Sequence, residues 1–297
     1  MIRTARARTA ISGKSASPRL ACQGARRFEI RGALRDVGAL NDPHVETLHY
    51  RLIPSERVTF NNPPVLTAQR DGFELTVEHG KLTVTPSAHF ATVQAAREAV
   101  APVLRAWEID HALWAGSPEI SFEFDRSTVI DRDPPPPPKP GFPQIVQVGG
   151  IASVAAVGSV SVHVGRAQYP QPPLDFAVDP DTETLWVRWQ GYNEGREPLQ
   201  TMAYFCKTVL EMDRGVSGAS ARFGVSPNVL KTLGRLSTET GDPTTARKAT
   251  PKLRPLTDQE GRWLEETIKV LIRRAGEVAA NPDKSRDKIT MDDLPPL

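Results

Sequence analysis

The chain is poor in the residues that build metal and redox sites. Its 297 residues hold two cysteines, Cys22 and Cys206, and six scattered histidines. Two cysteines exclude a disulfide-stapled scaffold and any site made of several thiolates. There is no HExxH and no CxxC, and the separation of His44 from His49 is not a usual zinc spacing. Phosphate loops are missing too. Gly149-Gly150 lacks the GxGxxG spacing, and nothing matches GxxxxGK[ST]. Gly215-Val216-Ser217-Gly218-Ala219 lacks the final glycine of a nucleophile elbow. No metal, no cofactor and no catalytic constellation is expected from these patterns. Long apolar runs are also scarce. Residues 145–164 carry no formal charge and are long enough to span a bilayer. They are interrupted by Gly149, Gly150, Gly158, Ser153, Ser159 and Ser161, and they end in the alternation Ser159 to Val164. That pattern reads as a small β-meander extending a sheet, so no membrane span is expected.

What is present is unevenly distributed charge. The net charge is +2. Residues 1–35 hold nine basic groups and one acid, Glu29, whereas residues 36–213 hold 13 basic and 23 acidic groups. Residues 214–297 hold 15 basic and 11 acidic. The basic character of the whole chain therefore belongs to its first segment. Residues 1–40 read as a disordered basic tail. The same composition fits an organellar transit peptide, a mis-called start or a nucleic-acid-binding arm. Proline is abundant, at 27 residues against a usual ~5% of a chain, and Asp133 to Pro140 predicts a polyproline arm over 133–143.

Hydrophobic periodicity predicts an α+β fold: a small N-terminal α+β domain over 41–169, with an antiparallel sheet and one long helix, then an all-α domain of about five helices over 178–280. Phe73 to Glu78 and Lys81 to Thr85 alternate apolar with polar about the two-residue turn His79-Gly80. That register sets Glu78 opposite Lys81, Val77 opposite Leu82, Thr76 opposite Thr83 and Leu75 opposite Val84. His49 to Ile53 predicts a short strand, and Ile120, Phe122 and Phe124 an amphipathic one whose polar side carries Glu119, Glu123 and Asp125. Between them, Val93, Ala96, Val100, Val103, Leu104, Trp107 and Trp114 mark a helix over 92–115, which Pro102 should kink or split. Further on, Asp179-Pro180 opens a helix, and Thr257-Asp258-Gln259-Glu260 is a capping box. The last helix carries Leu264, Ile268, Leu271, Ala275 and Val278 at heptad spacing, a stripe able to self-pair. Residues 281–297 read as a disordered, proline-tipped tail. All five tryptophans (107, 114, 186, 189 and 263) fall beside apolar stripes, so core or interface packing is expected of them.

Three groups of residues are candidates for function. Glu123 and Asp125 share a strand face, which suits either acid–base chemistry or a solvated surface. Arg105 and His111 stand six residues apart on the first long helix; at 100° per residue they do not share a face, and a solvated Arg and a helix-end His are expected. The sharpest match lies in 216–236, which resembles a helix-turn-helix. Gly224 stands at its turn, Val225 follows, and Ser226 can cap the second helix. Ser220 stands where a small Ala is expected, and Pro227 begins the second helix. The outward residues are Asn228, Lys231, Thr232 and Arg235, all able to reach base edges or phosphates. Residues 214–254 hold eight basic and two acidic groups, a footprint such a module needs. The expected function is therefore a non-catalytic recognition or assembly protein, with a protein partner or self-association. DNA binding through 216–236 is the alternative. The expected location is cytoplasmic, or organellar if residues 1–35 are a transit peptide.

Overall fold

The computed structural model describes residues 41–133, 164–212, 215–240 and 254–297. The basic tail, the proline-rich arm beyond Asp133 and the apolar window as far as His163 lie outside the described residues. Strands β1 (Pro43–Pro54), β3 (Leu66–Arg70), β4 (Phe73–Glu78), β5 (Lys81–Pro86) and β6 (Ile120–Asp131) form one antiparallel sheet in the order β3-β4-β5-β1-β6. The β4–β5 hairpin has the predicted register throughout. Its turn places His79 at φ 49° and Gly80 at φ 72°, the left-handed pair that a two-residue hairpin needs. The strand predicted at His49 is longer than its sequence signal. β1 pairs with β5 on one side and with β6 on the other, with two register shifts against β6. Those bulges break the strict alternation that would have revealed its full length.

Helix α1 (Val93–Ala115) crosses the sheet, capped by the Thr92 hydroxyl and ended by Gly116 at φ 80°. Of the two outcomes expected at Pro102, a kink or a split, the split does not occur: the helix runs through it unbroken. Pro102 is exposed, so the carbonyl it leaves unbonded one turn earlier faces solvent. Ala96, Val100, Val103, Leu104 and Trp107 pack onto Leu48, Leu52, Leu75, Val77, Leu82 and Val84 of the sheet. Ala106, Ile109, Ala112 and Leu113 lie further round α1 and belong to a second core. That core is built by α2 (Pro180–Asn193), α3 (Leu199–Glu211), α4 (Gly215–Phe223), α5 (Pro227–Thr238) and α6 (Asp258–Ala280). One helix thus contributes to both apolar clusters.

The capping signals at Asp179-Pro180 and Thr257 to Glu260 work as the sequence predicts. The heptad stripe of α6 does not stay available for pairing between copies. Leu264, Ile268, Leu271, Ala275 and Val278 are all buried within this chain, against Trp186, Trp189 and Met202 among others. Heptad spacing also arises when a helix packs between other helices of its own chain, at the same crossing geometry. The expected disordered tail is a second departure. Ile289 and Leu294 are buried in the helical core, and Met291–Asp293 form a short 3-10 turn. Arg286 donates to the carbonyls of Glu277 and Asn281 at the end of α6, and Lys284 pairs with Asp175 at 2.7 Å. A few anchors suffice here because the segment follows an established core.

β7 (Val164–Arg166) pairs in parallel with β2 (Val58–Phe60) and does not extend the five-stranded sheet. The segment after β7 is bound to the sheet and to α1. The backbone N–H of Gly80 donates to the Tyr169 hydroxyl at 2.8 Å, and Trp107 Nε1 donates to the Pro170 carbonyl at 3.2 Å. Arg70 reaches the carbonyls of Leu174 and Phe176. Phe176 then packs flat on Gly276 of α6, where a Cβ would come within 2.2 Å of its ring. Among the described residues no helix is long and apolar enough to cross a membrane.

Candidate functional site

The last turn of α1 carries the residues that sequence periodicity could not interpret. After Ile109, the helix presents Asp110, His111 and Trp114 toward the segment that follows β7. His111 and Glu119 are both buried, each with less than a tenth of its side chain exposed. His111 Nε2 lies 3.0 Å from Glu119 Oε2. Glu119 also accepts from Arg166, at 3.2 Å from Nε and 2.6 Å from Nη2. This two-pronged pair, joined by the histidine, fixes the end of α1, the residue before β6 and the end of β7 to one another. A buried carboxylate needs such partners, since removing one leaves a charge without compensation.

Trp114 stands on this network, 69% exposed. It stacks with His111, centroids 6.0 Å apart, and the Arg166 guanidinium lies 5.7 Å from its ring centre. The other four tryptophans are at most 2% exposed. Beside Trp114 opens a cleft of about 500 Å³, lined by Phe60, His111, Trp114, Arg166, Tyr169 and Arg273 among others. Phe60 and Tyr169 form an apolar wall, their rings 5.1 Å apart. Arg273 of α6 approaches Asp110 at 3.3 Å and Glu277 at 3.7 Å. Burial raises the pKa of Asp110, with Arg273 acting in the opposite sense. Burial lowers that of His111, against the opposing pull of Glu119, so its ring is neutral near pH 7. With Nε2 donating to Glu119, a neutral ring keeps Nδ1 as an acceptor. The arrangement combines aromatic surface, two guanidinium groups and one neutral imidazole in an open cleft.

Sequence reasoning missed each of these residues for a definite reason. His111 stands near the end of its helix, as expected, but is buried there. Trp114 is exposed and not part of a core. Glu119 alternates with the apolar residues of the strand, yet it precedes β6, is buried and makes three hydrogen bonds with His111 and Arg166. Arg105, six residues before His111, lies elsewhere and forms a two-pronged pair with Glu183 of α2 at 3.1 and 2.6 Å. The signal that could have found the site is His111 and Glu119 flanking the αL stop at Gly116, which folds the chain back on itself.

The other candidates are placed as follows. Glu123 and Asp125 are exposed, and Glu123 pairs with Arg51 at 2.9 Å across the sheet surface. Among the described residues no cluster of three or more His, Cys, Asp or Glu could hold a metal. The buried Cys206 thiol is pushed up to about 12 by desolvation. α4 and α5 are consecutive helices joined by a short turn, with Gly224 at φ 59° in the turn and Ser226 Oγ accepting from Asn228 N–H. Pro227 is accommodated at the first helical position, where its missing N–H is not needed. Asn228, Lys231 and Arg235 are exposed and Thr232 is half-buried. The turn is held by groups distant in sequence. Ile289 forms a parallel bridge with Val225, and Arg274 donates to the carbonyls of Phe223, Gly224 and Asp287.

No protein family, curated protein or solved structure matches this chain.

The neutral His111 gives the site a pH signature. Unfolded, the imidazole takes its proton near pH 6.5; folded, it does so only at a lower pH. Its contribution to stability is complete above pH 6.5 and is lost as pH falls toward the folded value, at up to about 1.4 kcal/mol per pH unit for one proton. His44 and His49 are lowered in the same sense by desolvation and add to the slope. His111→Gln is expected to make urea-unfolding free energies at pH 5.5 and 7.5 differ less than in the wild type. An unchanged difference would show that His111 titrates as it does in the unfolded chain.

Proposed function

We propose that the protein is a non-catalytic recognition protein whose binding site is the cleft at the end of α1. The observation that carries this reading is Trp114. A large aromatic side chain exposed at the mouth of a cleft, in contact with His111 and Arg166, is costly to leave in water and effective on contact with a ligand. The cleft volume falls in the range of small-molecule sites, about 300–1,000 Å³.

The test follows the Trp114 indole N–H in 1H–15N spectra of the full chain, assigned by its loss in Trp114→Phe. A mixture of neutral, cationic and anionic fragments is expected to shift this signal, while those of the four buried tryptophans stay in place. If no fragment moves it, the cleft is not a binding site.

A second reading, DNA binding through α5, is favoured by one observation: Asn228, Lys231 and Arg235 form an exposed line along a helix whose preceding turn is firmly braced. In this reading Lys231→Ala combined with Arg235→Ala lowers the slope of log K against log salt by about 2, as expected for the loss of two phosphate contacts. Fluorescence anisotropy with mixed-sequence duplex DNA measures this, and unchanged affinity would end the reading.

A further inference from the structure

The lining of the cleft narrows the kind of ligand, and this step rests on the cleft being the binding site. The acids are less exposed than the bases, although Asp110 also lines the cleft. Glu119 is buried, and only 15% of the Asp110 side chain is exposed, whereas Arg166 and Arg273 are 31% and 47% exposed. Glu277, the other acid near Arg273, lies one turn further along α6. Each guanidinium keeps donors that no described residue takes as a hydrogen bond. Arg166 uses Nε and Nη2 on Glu119, which leaves Nη1 without a hydrogen bond among the described residues. Arg273 makes ion-pair contacts at 3.3 and 3.7 Å but no hydrogen bond to any described residue. Planar guanidinium groups with free donors match carboxylate and phosphate oxygens, and the ring of Trp114 with the Phe60–Tyr169 wall matches a flat apolar body.

We propose that the cleft takes a small planar organic anion, an aromatic ring bearing a carboxylate or phosphate. The anionic head lies between Arg273 and Arg166, and the ring lies against Trp114. Asp110 is then a specificity-setting residue. It neutralises Arg273 in the free protein and competes with the ligand's head for it.

The test uses naphthoate, naphthyl phosphate, neutral naphthamide and cationic naphthylmethylamine, titrated against the Trp114 indole signal of the full chain. At least one anion is expected to bind about tenfold or more tightly than the amide, consistent with a charge-assisted hydrogen bond. Whichever of the two binds better identifies the head. Arg273→Gln is expected to remove the advantage and Arg273→Lys to keep part of it. Asp110→Asn, which frees Arg273, is expected to tighten anion binding severalfold. That variant keeps the proposal testable should Arg273→Gln unfold. Equal binding of amide and anions, or preference for the amine, overturns the anion assignment and leaves the cleft as a site. A Trp114 signal unmoved by all four overturns the assignment as well; if the fragment mixture does not move it either, the cleft reading falls with it.

Discussion

The structure depends on one helix lying in two cores. α1 buries Val100, Leu104 and Trp107 against the sheet and Ile109, Ala112 and Leu113 among the helices of the C-terminal half. Each large apolar side chain so buried contributes on the order of 1.5–3 kcal/mol. Neither cluster can be completed without it. Polar contacts reinforce the junction from both sides of α1, through Arg105 on Glu183 and Arg273 on Asp110. The chain between β7 and α2 adds a third connection, with Tyr169, Pro170 and Phe176 fastened in turn to the hairpin, to α1 and to α6.

The cleft follows from this arrangement. A helix serving two cores must end where they diverge, and its last turn faces the gap. There the chain places Asp110, His111 and Trp114. The pair between buried Glu119 and half-buried Arg166 borders the gap, so one part of its wall is a charge network and another, Phe60 with Tyr169, is apolar. Such pairs add little net stability, but they tolerate few alternative arrangements. Their role here is to hold Trp114 and the free side of Arg166 in fixed positions.

Much of the fold was legible in the sequence because it is written locally. The β4–β5 register, the caps at Asp179 and Thr257 and the stripe of α1 each depend on residues within a few positions of one another. The two short helices about Gly224 were legible for the same reason, although nothing local revealed that Ile289 and Arg274 brace the turn between them. The candidate site was not legible. Its residues come from the ends of α1, β2 and β7 and from within α6, and each looks ordinary beside its neighbours. Glu119 matched a polar strand face, Trp114 matched an apolar stripe, and the α6 heptads matched self-pairing. Periodicity identifies which side of an element is apolar. It does not identify which neighbour covers that side, and at the end of a helix the cover stops.

The most direct measurement of the shared-helix account is equilibrium unfolding in urea with two probes. Near-ultraviolet and fluorescence signals of Trp186, Trp189 and Trp263 report the helical core, and hydrogen exchange of Leu48, Leu75 and Val84 amides reports the sheet. The account requires a single transition with coincident midpoints, and Ile109→Ala, a cavity costing about 2–5 kcal/mol, should shift both midpoints together. Two separated transitions, with only the helical one moved by Ile109→Ala, would contradict it.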